Sequence, residues 1–150
     1  MRKIVFIADF FIEHILGGGE LNSEVLIDML RGGGIEVKKL QSHLVSPQTL
    51  KRHSNDFFII SNFINLSHEC RQILINLDYI IYEHDHKYLK SRNPATHKDF
   101  KAPSSETINF NFYKNAKKIL CQSSFHKDIV FLNLGLDNIE NLGGNLWSLE

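Results

Sequence analysis

The stretch KIVFIAD, residues 3–9, is a nearly continuous run of β-branched and aromatic side chains that ends in an aspartate. Such a run is typical of a strand that is buried on both faces of a parallel sheet. We expect several strands of this kind to form one parallel sheet. The pattern recurs as DFFIISN (56–62), DYIIYEH (78–84) and KKILCQS (117–123), and a weaker, partly exposed version, GIEVKKL, occupies 34–40.

Helix-like segments separate these strands. In the first of them, Leu21, Val25 and Met29 recur at the spacing that forms one apolar stripe on a helix. The alternation of strands and helices predicts an α/β fold, a Rossmann-like doubly wound parallel sheet of about five or six strands with helices on both faces. The predicted helices are 20–31, 46–53, 66–77, 106–116 and 124–134, and residues 138–150 are expected to form a sixth strand that runs into an interdomain connection.

Size and composition limit the class of protein. A chain of 150 residues, 43% hydrophobic and 23% charged, is expected to form a single folded domain, residues 1–150. Seventeen basic residues balance seventeen acidic ones, so we expect no nucleic-acid partner and no anionic membrane surface. No signal-peptide pattern and no apolar stretch long enough to span a bilayer are visible in the sequence, so a cytoplasmic location is expected. Cys70 and Cys121 lie in apolar contexts and are expected to be free, buried thiols.

Two glycine triplets flank the first predicted helix. The second, Gly32–Gly34, stands where a helix must end, and glycine adopts the left-handed conformation there at low cost. The first precedes the helix, where backbone N–H groups without a side chain in front of them can approach an anion. Gly17, Gly18, Gly19 and Glu20 are therefore candidates for contact with a phosphate, although a flexible loop is the simpler alternative.

The first triplet fits neither common nucleotide motif. A dinucleotide fingerprint requires G-x-G-x-x-G directly after the strand, whereas FFIEHIL (10–16) intervenes here. A Walker A loop requires Gly-Lys-Ser or Gly-Lys-Thr at its end, whereas Glu20 follows the glycines. The pattern excludes both standard loops.

The segment YEHDHKYLKSRNPATHKDFK (82–101) carries the most chemistry, and its first residues are expected at the carboxyl end of the fourth strand. We expect His84 to face a substrate, with Asp85 or Glu83 orienting its ring. A metal site at His84 and His86 is the less favoured alternative. Solvated residues without a role are the remaining alternative.

The same segment is locally basic in a chain that is neutral overall. A run of charges is usually a solvated face, but this one borders the expected site, so an anionic ligand is predicted. Lys87 and Arg92 are the candidate ligand contacts. The other basic residues of the segment are Lys90, His97, Lys98 and Lys101.

Taken together, these features resemble the N-terminal domain of GT-B glycosyltransferases, most closely the retaining family-four type. The shared features are the buried first strand, the Gly-Gly-Gly-Glu start of a helix, the Arg-Gly at its end and the His-Asp pair after the fourth strand. NFYKNAKKILCQSSFHKDIV (111–130) also fits the family's pattern of a fifth strand, a serine and a helix. Matching positions in it are Ala116, Ile119, Ser123, Phe125 and Lys127.

The resemblance implies a specific activity. Family members transfer a sugar from a nucleotide-sugar donor to an acceptor with retention of configuration, usually without an obligatory metal or other cofactor. Gly18 and Gly19 would match the loop near the donor diphosphate, and His84 and Asp85 the catalytic region near the transferred sugar. The N-terminal domain mostly binds the acceptor, so the donor domain would have to be supplied in cis or in trans, and residues 1–150 alone would transfer poorly.

Two departures from the family pattern and two alternative functions stand beside this interpretation. The triplet lies later after the first strand than is usual in the family, and the paired glutamates of the donor domain are not in this sequence. A non-catalytic module of the same fold that binds a glycan or a phosphorylated ligand is the main alternative. A receiver-like signalling domain is disfavoured because Asp9 stands alone after the first strand.

Overall fold

A computed structural model of the chain describes residues 2–144, and its centre is a six-stranded sheet in which all strands are parallel. The sheet order is β2-β1-β3-β4-β5-β6. Its first five strands follow one of the two common doubly wound orders, which the sixth extends. The predicted α/β fold is confirmed. The strands are β1 (Ile4–Ala8), β2 (Val37–Gln41), β3 (Phe57–Ile60), β4 (Asp78–Tyr82), β5 (Ile119–Cys121) and β6 (Ile139–Asn141).

Five α-helices connect the strands, and three of them begin at a serine whose side chain accepts a backbone N–H. The capping serines are Ser46, Ser67 and Ser123. The helices are α1 (Gly18–Gly32), α2 (Pro47–Arg52), α3 (His68–Leu74), α4 (Phe110–Asn115) and α5 (Ser124–Leu134), with short 3-10 turns at Ser42–Leu44, Pro94–Thr96, Lys98–Phe100 and Ser104–Glu106.

The fourth predicted helix is wrong at its start. Residues 104–106 form a separate turn, and Asn109 has a left-handed backbone with φ of 60°. A helix cannot pass through a residue in that conformation, so α4 begins only at Phe110.

Alternating side chains of the strands build a core on each face of the sheet. Val5 and Ile7 belong to the core that α2, α3, α4 and α5 cover. Phe6 and Ala8 belong to the other core, which α1 covers through Ile27. Helices therefore cover both faces, as a doubly wound sheet requires, and the direction of winding reverses between β1 and β3.

Several smaller predictions are also met. Gly34, just after α1, has a φ of +85°, and both cysteines are free and buried. In residues 2–144 no helix is both long enough and apolar enough to cross a membrane. Of the expected last segment, β6 covers Ile139–Asn141, and residues 145–150 lie outside the described residues.

Candidate functional site

The carboxyl ends of the strands form one edge of the sheet, and Asp9 organises it. Asp9 directly follows β1 and is buried. Its carboxylate accepts hydrogen bonds from the Ser42 hydroxyl and from the backbone N–H groups of Ile64 and Asn65, the last two at 3.0 Å. One carboxylate thus ties the loops after β2 and β3 to β1, which makes its role structural.

The first glycine triplet belongs to the helix rather than to a separate loop. Gly17 is the N-cap, Gly18 and Gly19 lie in the first turn, and the first intrahelical bond runs from the Leu21 N–H to the Gly17 carbonyl at 3.0 Å. The N–H groups ahead of that bond lie at the positive end of the helix dipole. The Glu20 carboxylate folds back over Gly17, so closely that a β-carbon built on Gly17 would overlap its Oε2 atom. Glu20 can offer an anion its backbone N–H, but its side chain repels one.

Gly19 and His84 are neighbours. A β-carbon built on Gly19 would lie 3.6 Å from Cγ of His84, which is ordinary van der Waals contact. The backbone of the first turn of α1 therefore lies beside the imidazole that follows β4. The predicted convergence of the glycine triplet and this histidine on one edge is confirmed.

The His84 ring is largely buried and neutral at physiological pH. It packs on Tyr82 with ring centroids 4.4 Å apart, and its Nδ1 lies 3.4 Å from Nε2 of Gln122. Its Nε2 is shielded from solvent and has no hydrogen-bond partner in residues 2–144. Burial, followed by the positive charge of Lys87, lowers the pKa of His84 to about 4. The ring can exchange hydrogen bonds with a ligand but is a weak base.

Lys87 is buried, contrary to the prediction that it contacts an anionic ligand. Its side chain is 0% exposed, and Nζ bonds Glu83 Oε1 at 2.9 Å and Asp85 Oδ1 at 2.6 Å. The ammonium also lies 5.4 Å from the centre of the Phe63 ring. Burial opposes its charge, but the two carboxylates outweigh burial and raise the pKa of Lys87. Lys87 is therefore a structural cation under the loop.

Asp85 does not orient His84 as predicted. Its Oδ1 accepts from Lys87 and its Oδ2 lies 3.5 Å from Arg92, while His84 faces Gln122. Glu83 is fully buried on Lys87, and burial raises the pKa of its carboxyl group. Arg92 pairs with Asp85 but is half-exposed, so part of its guanidinium group stays accessible to a ligand.

Gln122 and His126 are site residues that the sequence analysis missed. Gln122 follows β5, and His126 lies in the first turn of α5, where its Nδ1 is 2.9 Å from Oε1 of Gln122. The rings of His126 and His86 meet edge to face at 5.0 Å. Because the carboxyl ends of parallel strands share one edge, the sequence QSSFH after the fifth strand could have pointed to both residues.

His84, His86 and His126 form a histidine cluster at this edge of the sheet. His86 Nδ1 pairs with the Tyr88 hydroxyl at 2.6 Å, and the Nε2 of His126 is buried without a partner in the described chain. Burial lowers the pKa of His86 to about 4 and also lowers that of His126. Among residues 2–144 no three His, Cys, Asp or Glu side chains are grouped so that they could hold a metal ion.

Comparison of the chain with protein-family models, with curated proteins and with solved structures gives no match in any of the three. The chemistry of this edge of the sheet therefore has to be argued from its own geometry. That geometry consists of a side-chain-free helix start, a neutral buried imidazole beside it and a second imidazole reached through Gln122.

Proposed function

We propose that the chain is the acceptor-side domain of a GT-B glycosyltransferase that transfers a sugar from a nucleotide-sugar donor to an acceptor with retention of configuration. The observation that carries this proposal is the approach of Gly19 to His84 at the carboxyl edge of the sheet. In doubly wound folds that edge is where ligands bind. The sequence resemblance to the N-terminal domain of this enzyme class adds to it.

His84 would contact the transferred sugar through Nε2. A neutral imidazole exchanges hydrogen bonds with a sugar hydroxyl without placing a charge in a buried site. A pKa of about 4 makes the ring a poor general base, so binding and orientation are its role in this proposal. Asp85, which pairs with Lys87, would hold the loop that carries His84 rather than act on the sugar.

The first turn of α1 would receive the donor diphosphate through the N–H groups of Gly18 and Gly19. Both positions lack a side chain, and helix N-termini attract phosphate. The Glu20 carboxylate lies over Gly17 and would have to move when a phosphate arrives. Arg92, half-exposed on the neighbouring loop, supplies a positive charge.

Exposed apolar side chains around the same edge support a second domain that covers it. They lie on the segments that directly follow strands, where a monomeric domain would place polar residues. A donor domain, in cis or in trans, would bury them and close the site. They are Phe10, Ile15, Leu16, Leu44, Ile64 and Phe125.

A non-catalytic module that binds a glycan or a phosphorylated ligand is the second candidate. The observation that favours it is that neither Asp85 nor Glu83 orients His84, since both carboxylates pair with Lys87. His84 contacts the side-chain amide of Gln122, and burial lowers the pKa of its ring to about 4. Such a ring suits ligand recognition without proton transfer.

The deciding experiment measures nucleoside diphosphate release and ligand binding together. UDP-glucose, UDP-N-acetylglucosamine and GDP-mannose are each incubated with the protein, and with the longer chain if its gene encodes one. Release that is lost in a Gly19→Val variant supports transfer. Binding of these donors, or of the free diphosphates, without release supports the binding module. Neither binding nor release, in the longer chain or with a donor domain added, would overturn the glycosyltransferase proposal. A binding module would then have to take a glycan that carries no nucleotide.

A further inference from the structure

The orientation of the Gln122 side-chain amide is fixed by a backbone carbonyl. Its Nε2 donates a hydrogen bond to the carbonyl oxygen of Glu83. A carbonyl oxygen only accepts, so the amide nitrogen has to face Glu83 and the amide oxygen has to face the other way. This contact removes the usual ambiguity between the two ends of a glutamine side chain.

The fixed amide determines which nitrogen of each neighbouring histidine carries the proton. Oε1 of Gln122 only accepts and lies 2.9 Å from Nδ1 of His126, so His126 has its proton on Nδ1 and a lone pair on Nε2. The second N–H of Gln122 faces Nδ1 of His84 at 3.4 Å, so His84 has a lone pair on Nδ1 and its proton on Nε2. The two rings are therefore in opposite tautomers.

The free ends of the two rings are complementary in hydrogen bonding. Nε2 of His84 is a donor and Nε2 of His126 is an acceptor, and both are shielded from solvent without a partner in residues 2–144. A buried polar atom without a partner costs free energy, which a ligand that pairs with it would recover. A hydroxyl both accepts and donates, so a neutral polyol can engage both nitrogens.

We infer that Gln122 is a positioning residue that sets His84 as a donor and His126 as an acceptor for the hydroxyl groups of a polyol ligand. The choice of a sugar as that polyol rests on the proposed function, whereas the assignment of tautomers rests only on the contacts of Gln122. Burial lowers the pKa of both rings, to about 4 for His84, which favours the neutral forms that the assignment requires.

The tautomers can be read directly by long-range proton–nitrogen NMR of the histidine-labelled protein at pH 7.5. The expected result is a proton on Nε2 of His84 and on Nδ1 of His126. Histidine in water prefers the proton on Nε2, so His126 is the diagnostic ring. A proton on Nε2 of His126, or on Nδ1 of His84, would overturn the assignment whatever any variant does.

A matched pair of variants tests whether Gln122 is the cause. In Gln122→Met the amide is lost at nearly constant volume. His126 is then expected to revert to a proton on Nε2, while His84 keeps its proton on Nε2. Gln48→Met, an exposed residue of α2, is expected to change neither ring. A His126 that keeps its proton on Nδ1 in folded Gln122→Met would contradict the role of Gln122.

The ligand class is tested with glycerol and with 1,2-dimethoxyethane, which accepts hydrogen bonds but donates none. Glycerol is expected to shift the Nε2 signals of both rings, and dimethoxyethane only that of His84. Absence of any glycerol shift would overturn the polyol assignment. Correct tautomers without nucleotide-sugar turnover or binding would refute the proposed function alone, and turnover with the opposite tautomers would refute this inference alone.

Discussion

Gly19 and His84 lie side by side, with room between them for a β-carbon at 3.6 Å from the imidazole Cγ. One residue follows β1 and the other follows β4, and the parallel order of the sheet brings both strand ends to one edge. The backbone of the first turn of α1 and the buried ring of His84 are therefore close enough to contact one ligand. The proposed function depends on that proximity.

Replacing Gly19 by alanine is expected to change the stability of the protein and its affinity for the nucleotide-sugar in opposite directions. The added methyl group makes only ordinary contact with His84, and alanine in a helix is favoured over glycine by about 0.5–1 kcal/mol. We expect Gly19→Ala to raise the free energy of unfolding slightly and to weaken donor binding about tenfold, because the methyl group fills the approach to the helix N–H groups.

Gly32→Ala, at the other end of α1, is the matched control. Nothing in residues 2–144 lies within 4 Å of its β-carbon, so the same gain in stability is expected without any change in binding. Equal binding by the two variants, measured by calorimetry with UDP-glucose or GDP-mannose, would show that the ligand does not approach Gly19.

Substitutions of His84 distinguish a hydrogen-bond donor from a base. His84→Phe keeps a planar ring but loses the donor, so kcat/KM is expected to fall about 10- to 100-fold. His84→Gln retains an N–H at a similar distance from the backbone, so its kcat/KM should fall clearly less. His43→Phe, an exposed histidine, serves as the control. Equal losses in the two His84 variants would argue against donation from Nε2.

Glu20 competes with the phosphate that the first turn of α1 is proposed to bind. Removing its charge in Glu20→Gln should strengthen the binding of an anionic ligand about two- to fivefold and weaken the helix by about 0.3–1 kcal/mol, because the carboxylate no longer interacts with the helix dipole. The gain in affinity should shrink as salt is added.

Glu69→Gln in the first turn of α3 is the comparison for Glu20. It should cost similar stability and leave affinity unchanged. Inorganic phosphate and UDP, each titrated at two ionic strengths, provide the measurement. A Glu20→Gln variant that binds both ligands no better than the original protein would place the anion elsewhere.

The fold was predictable because its signals are local. The strands β1, β3 and β4 each follow from a short run of β-branched or aromatic residues, and serines at 46, 67 and 123 begin helices as capping rules require. The order of the strands was not predictable, since nothing in a short segment states where the chain reverses its winding. The late start of α4 depends on the left-handed backbone of Asn109, which could not be predicted from the sequence.

The site was predictable only where topology alone brings residues together. Gly19 and His84 converge because both follow parallel strands, and the same rule would have found His126. Lys87 could not be placed from its neighbours, since a lysine in a charged segment is usually solvated. Its burial depends on the loop folding across Phe63 and on the two carboxylates that receive its ammonium group.

Lys87 should be essential for stability rather than for binding. Removing one partner of a buried ion pair leaves the other charge uncompensated, which typically costs about 3–5 kcal/mol. We expect that loss in the free energy of unfolding for Lys87→Met, and partial recovery in the double variant Glu83→Gln/Lys87→Met. Exposed Lys90→Met should change stability by less than about 0.5 kcal/mol. Urea denaturation at pH 7.5 measures all three, and a Lys87→Met protein as stable as Lys90→Met would contradict the buried pair.

Acid should destabilise the protein between pH 6.5 and 4.5 through the histidine cluster. The pKa of His84 and of His86 is lowered to about 4 and that of His126 is also lowered, mainly by burial, whereas unfolded histidine titrates near 6.5. In this window the unfolded chain binds protons that the folded chain does not, so stability is fully present above pH 6.5 and is lost as the pH falls, by at most about 1.4 kcal/mol per pH unit for each histidine.

The triple variant His84→Gln/His86→Gln/His126→Gln should lose less stability than the original protein over this range, when guanidinium unfolding is followed at pH 7.5, 6.5, 5.5 and 4.5. His43→Gln/His68→Gln, which alters two exposed histidines, should keep the original pH dependence. Glu83, whose pKa burial raises, acts in the opposite direction but is present in all three proteins and cancels in the comparison. Parallel stability curves for the triple variant and the original protein would mean that the three rings titrate in the folded chain as they do in the unfolded one, which would contradict the lowering of their pKa values by burial.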